Sequence, residues 1–110
     1  MEDPPLEITP LDLAALQESA DEFRLIDCRE DDEWQHCRIE GADLLPLSNF
    51  AEETARLDDL DARLIVYCHH GMRSLQATKF LRNKGFAQTS SLAGGIDAWS
   101  REIDPAVPRY

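Results

Sequence analysis

Residues 64–85 read LIVYCHHGMRSLQATKFLRNKG, and the order of types in this stretch decides the fold. Leu64, Ile65, Val66 and Tyr67 are four consecutive apolar positions without alternation, the pattern of a strand buried on both faces in the middle of a parallel sheet. Cys68 follows at once, then His69, His70, Gly71, Met72 and Arg73. From there Ala77, Phe80 and Leu81 recur at helical spacing, with Gly85 as the stop. The thiol of Cys68 is therefore expected at a strand-to-helix turn.

Such a turn points several unpaired backbone N–H groups at one spot, beside the positive end of the helix dipole. An anion is favoured there, and a cysteine thiolate is one, so Cys68 is expected to ionise more readily than a free thiol. Arg73 adds to the effect, as do His69 or His70 when protonated. Gly71 allows backbone angles and a close approach that a Cβ would forbid. On spacing alone, a small buried thiol closing a core strand is the competing reading.

The same residues carry a resemblance. The loop Cys68-His69-His70-Gly71-Met72-Arg73-Ser74 resembles the active-site loop of the rhodanese family of sulfurtransferases, C-x-x-G-x-R/H/T-S/T. Upstream, Arg24-Leu25-Ile26-Asp27-Cys28-Arg29-Glu30 is similar to the family signature L-I-D-V-R-E. Glu33-Trp34 through Ile39, Gly41 and Ala42 is similar to E-Y/W-x-x-G-H-I-P-G-A. The segment from Leu92 to Trp99 is similar to the closing L-x-G-G-x-x-A-W. The chain departs from the pattern at Cys37, where glycine is usual, at Arg38, where histidine is usual, and at Glu40, which replaces proline.

With 110 residues, 43% of them hydrophobic, the chain suffices for one core and is expected to form a single domain over residues 1–110. The formal net charge of −11 argues against nucleic acid and anionic membranes as partners, because phosphates would be repelled. No apolar run approaches the ~20 residues of a membrane span. Met1-Glu2-Asp3-Pro4-Pro5 lacks the basic and apolar regions of a signal peptide, and a cytoplasmic location is the expectation that follows. Cys28, Cys37 and Cys68 are an odd number with no C-x-x-C pair, which does not read as a disulfide framework and fits a reduced compartment. A zinc site from His36, Cys37, Cys68 and a loop histidine matches no common ligand spacing, so no metal and no cofactor are expected.

In chain order, Leu6-Glu7-Ile8 alternates like a short edge strand, and Thr9-Pro10 offers an N-cap and a first-turn proline for a helix ending near Ser19. Leu25-Ile26-Asp27 reads as a second strand, with Cys28 and Arg29 at its carboxyl end. Sites in open parallel sheets gather at that end, which brings these residues toward Cys68. Asp27 is expected in a supporting role, while Arg29 either meets an anionic substrate or closes an internal ion pair with Asp27. A helical turn over 31–35 would direct Trp34 into the core, and Leu44-Leu45-Pro46 reads as a third strand. Cys37 reads as a semi-exposed bystander, the competing reading being a second redox thiol able to attack a persulfide. Ser48 or Asn49 is placed to cap a helix carrying Phe50, Thr54 and Leu57. Residues 88–92 are assigned to a strand mainly through the resemblance. A last helix follows Gly94-Gly95 with Ile96, Trp99 and Ile103 on one face, and the tail from Asp104 with two prolines is expected to be extended.

Strands alternating with helices predict an α/β fold, a parallel sheet with helices on both faces; the resemblance makes it a five-stranded, rhodanese-like sheet. It also implies a sulfurtransferase of the thiosulfate type. Cys68 would take a sulfane sulfur as a persulfide and pass it to cyanide or a protein thiol. His69, His70, Gly71, Met72, Arg73 and Arg29 would bind substrate, and Asp27 and Ser74 would support them. The implied partners are a small sulfur-containing anion and a protein thiol or sulfur-carrier acceptor. Two other readings stand beside this one: a non-catalytic rhodanese-like binding module, and a cysteine phosphatase or arsenate reductase. The latter enzymes use C-x5-R, whereas Cys68 to Arg73 is C-x4-R, a narrower cradle that suits a sulfur atom better than a tetrahedral oxyanion.

Overall fold

The structure is a computed structural model that describes residues 3–110; the part of the leader reading that rests on Met1 and Glu2 lies outside them. Five strands alternate with helices along the chain: β1 (Glu7–Ile8), α1 (Pro10–Glu18), β2 (Arg24–Asp27), α2 (Asp31–His36), β3 (Asp43–Leu44), a 3-10 turn (Leu47–Asn49), α3 (Phe50–Thr54), β4 (Leu64–Tyr67), α4 (Met72–Asn83), β5 (Thr89–Leu92) and α5 (Gly95–Glu102). The strands form one sheet in the order β1-β5-β4-β2-β3, and every pairing is parallel.

The apolar run 64–67 takes the central position because all four of its residues are buried, which only a strand covered on both faces allows. Its side chains alternate between two cores. Ile65 and Tyr67 join Leu25, Leu92, Leu13 of α1 and Ile96 and Trp99 of α5. Leu64, Val66 and Cys68 join Ile26, Cys28, Phe50 of α3 and Ala77 and Leu81 of α4. Helices thus cover both faces, as expected. Burying each of these large aliphatic side chains contributes roughly 1.5–3 kcal/mol.

β5 is weakly marked in sequence because Thr89, Ser90 and Ser91 are polar yet wholly buried. Their hydroxyls are satisfied inside the fold: Thr89 Oγ1 donates to the Phe86 carbonyl at 2.8 Å, Ser90 Oγ to the Pro5 carbonyl at 2.5 Å, and Ser91 Oγ lies 2.7 Å from Ser74 Oγ. At α1 the Thr9 hydroxyl accepts the Asp12 N–H and the Asp12 carboxylate accepts the Thr9 N–H, a reciprocal cap.

Several expectations are corrected. Trp34 is only half-buried and lies under the Arg38 guanidinium, 4.5 Å from the ring centroid, so the cation covers the face expected to enter the core. Cys37, expected to be semi-exposed, is 8% exposed and packs into the core with Tyr67; its extended backbone (φ −163°) suits any residue, so glycine is not needed there. The third strand pairs at Asp43–Leu44. The helix after Asn49 stops at Thr54, short of Leu57, and Asn49 takes the N-cap position without a side-chain cap hydrogen bond. Ser48 Oγ instead donates to the Glu30 carboxylate at 2.5 Å. The tail folds back: Ser100 Oγ donates to the Val107 carbonyl at 2.6 Å and Arg109 Nε to the Asp97 carboxylate at 2.9 Å.

Candidate active site

Cys68 leaves the carboxyl end of β4 in the buried position that continues the strand's alternation. Its sulfur accepts the backbone N–H of Gly71 at 3.1 Å and of Ser74 at 3.3 Å. Two features of the chain make this possible. Gly71 sits at φ +103°, and a Cβ there would meet the Gly94 nitrogen at 3.1 Å, so a side chain would push the loop out of place. Met72 and Arg73 open α4, and the first N–H groups of a helix lack intrahelical acceptors, which leaves positive dipole at the sulfur. The Ser74 hydroxyl donates to the Gly71 carbonyl at 3.3 Å and so holds the first turn against the loop.

These contacts depress the Cys68 thiol from 9.0 to about 4; the largest cause is the hydrogen bond from the Cys28 thiol, and the Ser74 and Gly71 donors outweigh, with it, the opposing effect of burial. Cys28 moves the other way, because the neighbouring Cys68 sulfur and its own burial both oppose a second negative charge. Of the two thiols, Cys68 is the one that faces backbone donors, so it holds the charge and Cys28 holds the proton.

Arg73 is half-buried and joined to Glu33 of α2 by two hydrogen bonds, 2.7 and 2.9 Å. The Arg73 guanidinium pulls the Glu33 carboxyl down to about 2. Of the two expectations for Arg29, an anionic substrate or an ion pair with Asp27, the structure has the second: both residues are fully buried and paired at 2.6 Å. Arg29 also donates to the Cys37 carbonyl at 2.6 Å and to Tyr110 Oη at 2.8 Å. Its guanidinium is consumed by the interior, where it ties β2 to the segment after α2 and to the tail. Burial alone would lower the Arg29 pKa, but the Asp27 and Tyr110 bonds reverse the direction.

His69 stacks on the Tyr110 ring at 3.8 Å and 4° and lies 3.9 Å from the His70 ring; its Nε2 is shielded from solvent and has no hydrogen-bond partner. His70 is largely exposed, with Nδ1 4.0 Å from Asp97 Oδ2. Met72, which the resemblance places among the substrate-binding residues, is 75% exposed. The structure thus sets Gly71 and Ser74 on the Cys68 sulfur, ties Arg73 to Glu33, sets His69 and His70 beside the loop, and withdraws Arg29 and Asp27 into the core. Sequence reasoning missed Tyr110, whose hydroxyl donates to Glu33 Oε2 at 2.7 Å, because two prolines made its tail look extended. It also left Glu33 without a role, although the E-W motif contained it.

His69, His70 and Asp97 have ligand atoms within 4.8 Å of one another. The Asp97 carboxylate already carries Arg101 at 3.1 Å and Arg109 at 2.9 Å, which disfavours a cation there. A surface cavity of about 600 Å³ bordered by Phe23, Arg24, Asp61 and Arg63 opens at the amino ends of β2 and β4, the opposite edge of the sheet from Cys68.

A parallel α/β sheet whose central strand delivers an ionised cysteine to a helix N-terminus defines a class of thiolate-loop proteins that handle small anions or sulfur. Within it, the chain belongs to the rhodanese-like domain family, whose model matches residues 9–102. It is 36% identical over 105 residues to the probable adenylyltransferase/sulfurtransferase MoeZ of Mycobacterium tuberculosis, covering 94% of this chain and 26% of that protein. It is 34% identical over 80 residues to the thiosulfate sulfurtransferase GlpE of Shewanella oneidensis, covering 73% and 78%. The chain therefore spans about a quarter of MoeZ and most of GlpE. Among solved structures it is similar to the human single-domain sulfurtransferase TSTD1, with a TM-score of 0.78, 26% identity and coverage of 90% and 98%.

Proposed function

We propose that this chain is a sulfurtransferase that moves a sulfane sulfur from a donor such as thiosulfate to a thiophilic acceptor through a Cys68 persulfide. The observation that carries the reading is the Cys68 sulfur itself, held by the Gly71 and Ser74 N–H groups with its pKa lowered to about 4. A thiolate at neutral pH needs no separate base to become a nucleophile. Family membership and the relatives named sulfurtransferase support the same reaction class.

In the first half-reaction the Cys68 thiolate attacks the outer sulfur of thiosulfate. The S–S bond of the donor breaks with its electron pair on sulfite, which leaves, and Cys68 carries the outer sulfur as a persulfide. Donors of the loop from His69 to Ser74, together with the α4 dipole, favour the charge on the terminal sulfur. In the second half-reaction cyanide or a protein thiol attacks that terminal sulfur and the Cys68 thiolate is restored. A covalent intermediate shared between two half-reactions requires ping-pong kinetics. A protein thiol or sulfur-carrier acceptor is also in keeping with the adenylyltransferase/sulfurtransferase name of the longer relative MoeZ.

Intact-protein mass spectrometry after incubation with thiosulfate tests this, run on wild type and Cys68→Ser. The expected result is a gain of about 32 Da on wild type that cyanide removes and the variant lacks. No gain with thiosulfate or any other sulfane donor would overturn the reading and leave the chain as a binding module.

A further inference from the structure

Beyond its help in lowering the Cys68 pKa, Cys28 has no role in the transfer described above, yet the sheet sets it against Cys68. β2 and β4 pair in parallel with Asp27 opposite Tyr67, and the Cys28 N–H donates to the Tyr67 carbonyl at 3.0 Å. The residues that follow the two strands, Cys28 and Cys68, are therefore opposite one another. Residues in register on neighbouring parallel strands point to the same face, and both cysteines belong to the same buried cluster, with Ile26 and Val66. Strands pair about 4.8 Å apart, which is inside the span of roughly 4.4–6.8 Å between α-carbons that a disulfide bridges. Both cysteines are buried, at 0% and 1% exposure, so each sulfur is held in the interior beside the other. Cys37 packs on the opposite face of the sheet and is excluded from this pairing.

We propose that Cys28 is an internal resolving thiol, which discharges an unclaimed Cys68 persulfide as hydrosulfide by closing a Cys28–Cys68 disulfide. The inference rests on the transferase reading above. The Cys28 sulfur attacks the inner sulfur of the persulfide, Cys68 Sγ. A Cys28–Cys68 S–S bond forms and the persulfide S–S bond breaks, its electron pair going to the outer sulfur. That sulfur takes the Cys28 proton and leaves as HS⁻. Cys28 is oxidised from thiol to disulfide and the outer sulfur is reduced to sulfide, so no outside oxidant is needed. A reducing thiol reopens the disulfide and restores Cys68. In the loaded enzyme the two fates compete: an acceptor at the mouth of the loop takes the terminal sulfur, and in its absence the buried thiol expels it from behind. The outcome is a second activity, donor-driven sulfide release, with the enzyme parked as a disulfide until it is reduced.

The test loads fully reduced wild type and Cys28→Ala with thiosulfate, removes the excess, and follows both without acceptor by intact mass and by trapping of sulfide. Wild type is expected to lose its sulfur, to finish about 2 Da lighter than the reduced chain, and to release about one equivalent of sulfide. Peptide mapping should then show Cys28 joined to Cys68 with Cys37 still open to alkylation after unfolding. Cys28→Ala should keep its added sulfur for at least about ten times longer. A wild-type persulfide that lasts as long as the variant's, or sulfide release without the disulfide, would overturn the inference alone. Absence of added sulfur on both proteins would overturn the transferase reading and this inference with it. If Cys28→Ala does not fold, as judged by circular dichroism, treating wild type with diamide decides the geometry: failure to form the Cys28–Cys68 bond overturns the proposal.

Discussion

At the scale of the residue, the chemistry is set by which of two neighbouring sulfurs holds the charge. Cys68 faces two backbone N–H donors and Cys28 faces none among the hydrogen bonds of the site, so the loop selects which sulfur holds the charge, and the Cys28 thiol then gives that charge its largest support. Because the Cys68 pKa is lowered to about 4, the thiolate is present above that pH and is lost only as pH falls through it. Alkylation of Cys68 by iodoacetamide should therefore stay near its maximal rate from pH 8 down to about pH 5 and decline below that, where an ordinary cysteine would already be slow. A rate that instead falls tenfold per unit below pH 8 would show an unperturbed thiol. Arg73 is fixed by Glu33 before any substrate arrives, and its charge contributes to the field at the sulfur from a preset position.

At the scale of the element, the loop is gripped from both sides. α4 supplies its first turn to the sulfur, and α5 donates the Ile96 N–H to the Cys68 carbonyl at 2.8 Å and the Asp97 N–H to the His69 carbonyl at 3.1 Å. Gly95 makes this second grip possible. It has φ +61°, and a Cβ at this position would overlap the carbonyl oxygens of Cys68 and His69. Since those atoms are backbone, nothing flexible can yield. Gly95→Ala should destabilise the fold by about 2–4 kcal/mol through backbone strain and overpacking. Urea unfolding would measure the loss, and the same variant should react more slowly with iodoacetamide at pH 6 because the loop is displaced. Unchanged stability and reactivity would mean that α5 does not set the loop.

At the scale of the molecule, 22 acidic against 11 basic side chains leave a net charge of −11, an excess of carboxylates that ion pairing cannot neutralise. Self-repulsion should dominate over the screening of the ion pairs. Thermal unfolding at about 0.5 M salt is accordingly expected a few degrees above that at about 0.02 M, a shift of roughly 1 kcal/mol for a chain of this size. A lower melting temperature at high salt would show that pairs such as Arg73–Glu33 outweigh the repulsion. Among the described residues no helix is long and apolar enough to cross a membrane.

Periodicity and punctuation in the sequence determined the layered α/β plan, the central position of residues 64–67 and the placing of Cys68 before a helix, because each depends on neighbours a few residues apart. The Thr9 cap and the Gly71 turn were readable for the same reason. Short polar strands were not: residues 89–91 become a strand only when β4 and β1 pair with them and the interior satisfies their hydroxyls. The partners of each charge were likewise decided by the tertiary structure. Arg29 meets Asp27 and Tyr110, Arg73 meets Glu33, and Cys28 meets Cys68, pairings that span up to 81 residues of chain. Local pattern sets which face a side chain takes, whereas the energy of a buried charge or thiol depends on what the rest of the fold brings against it.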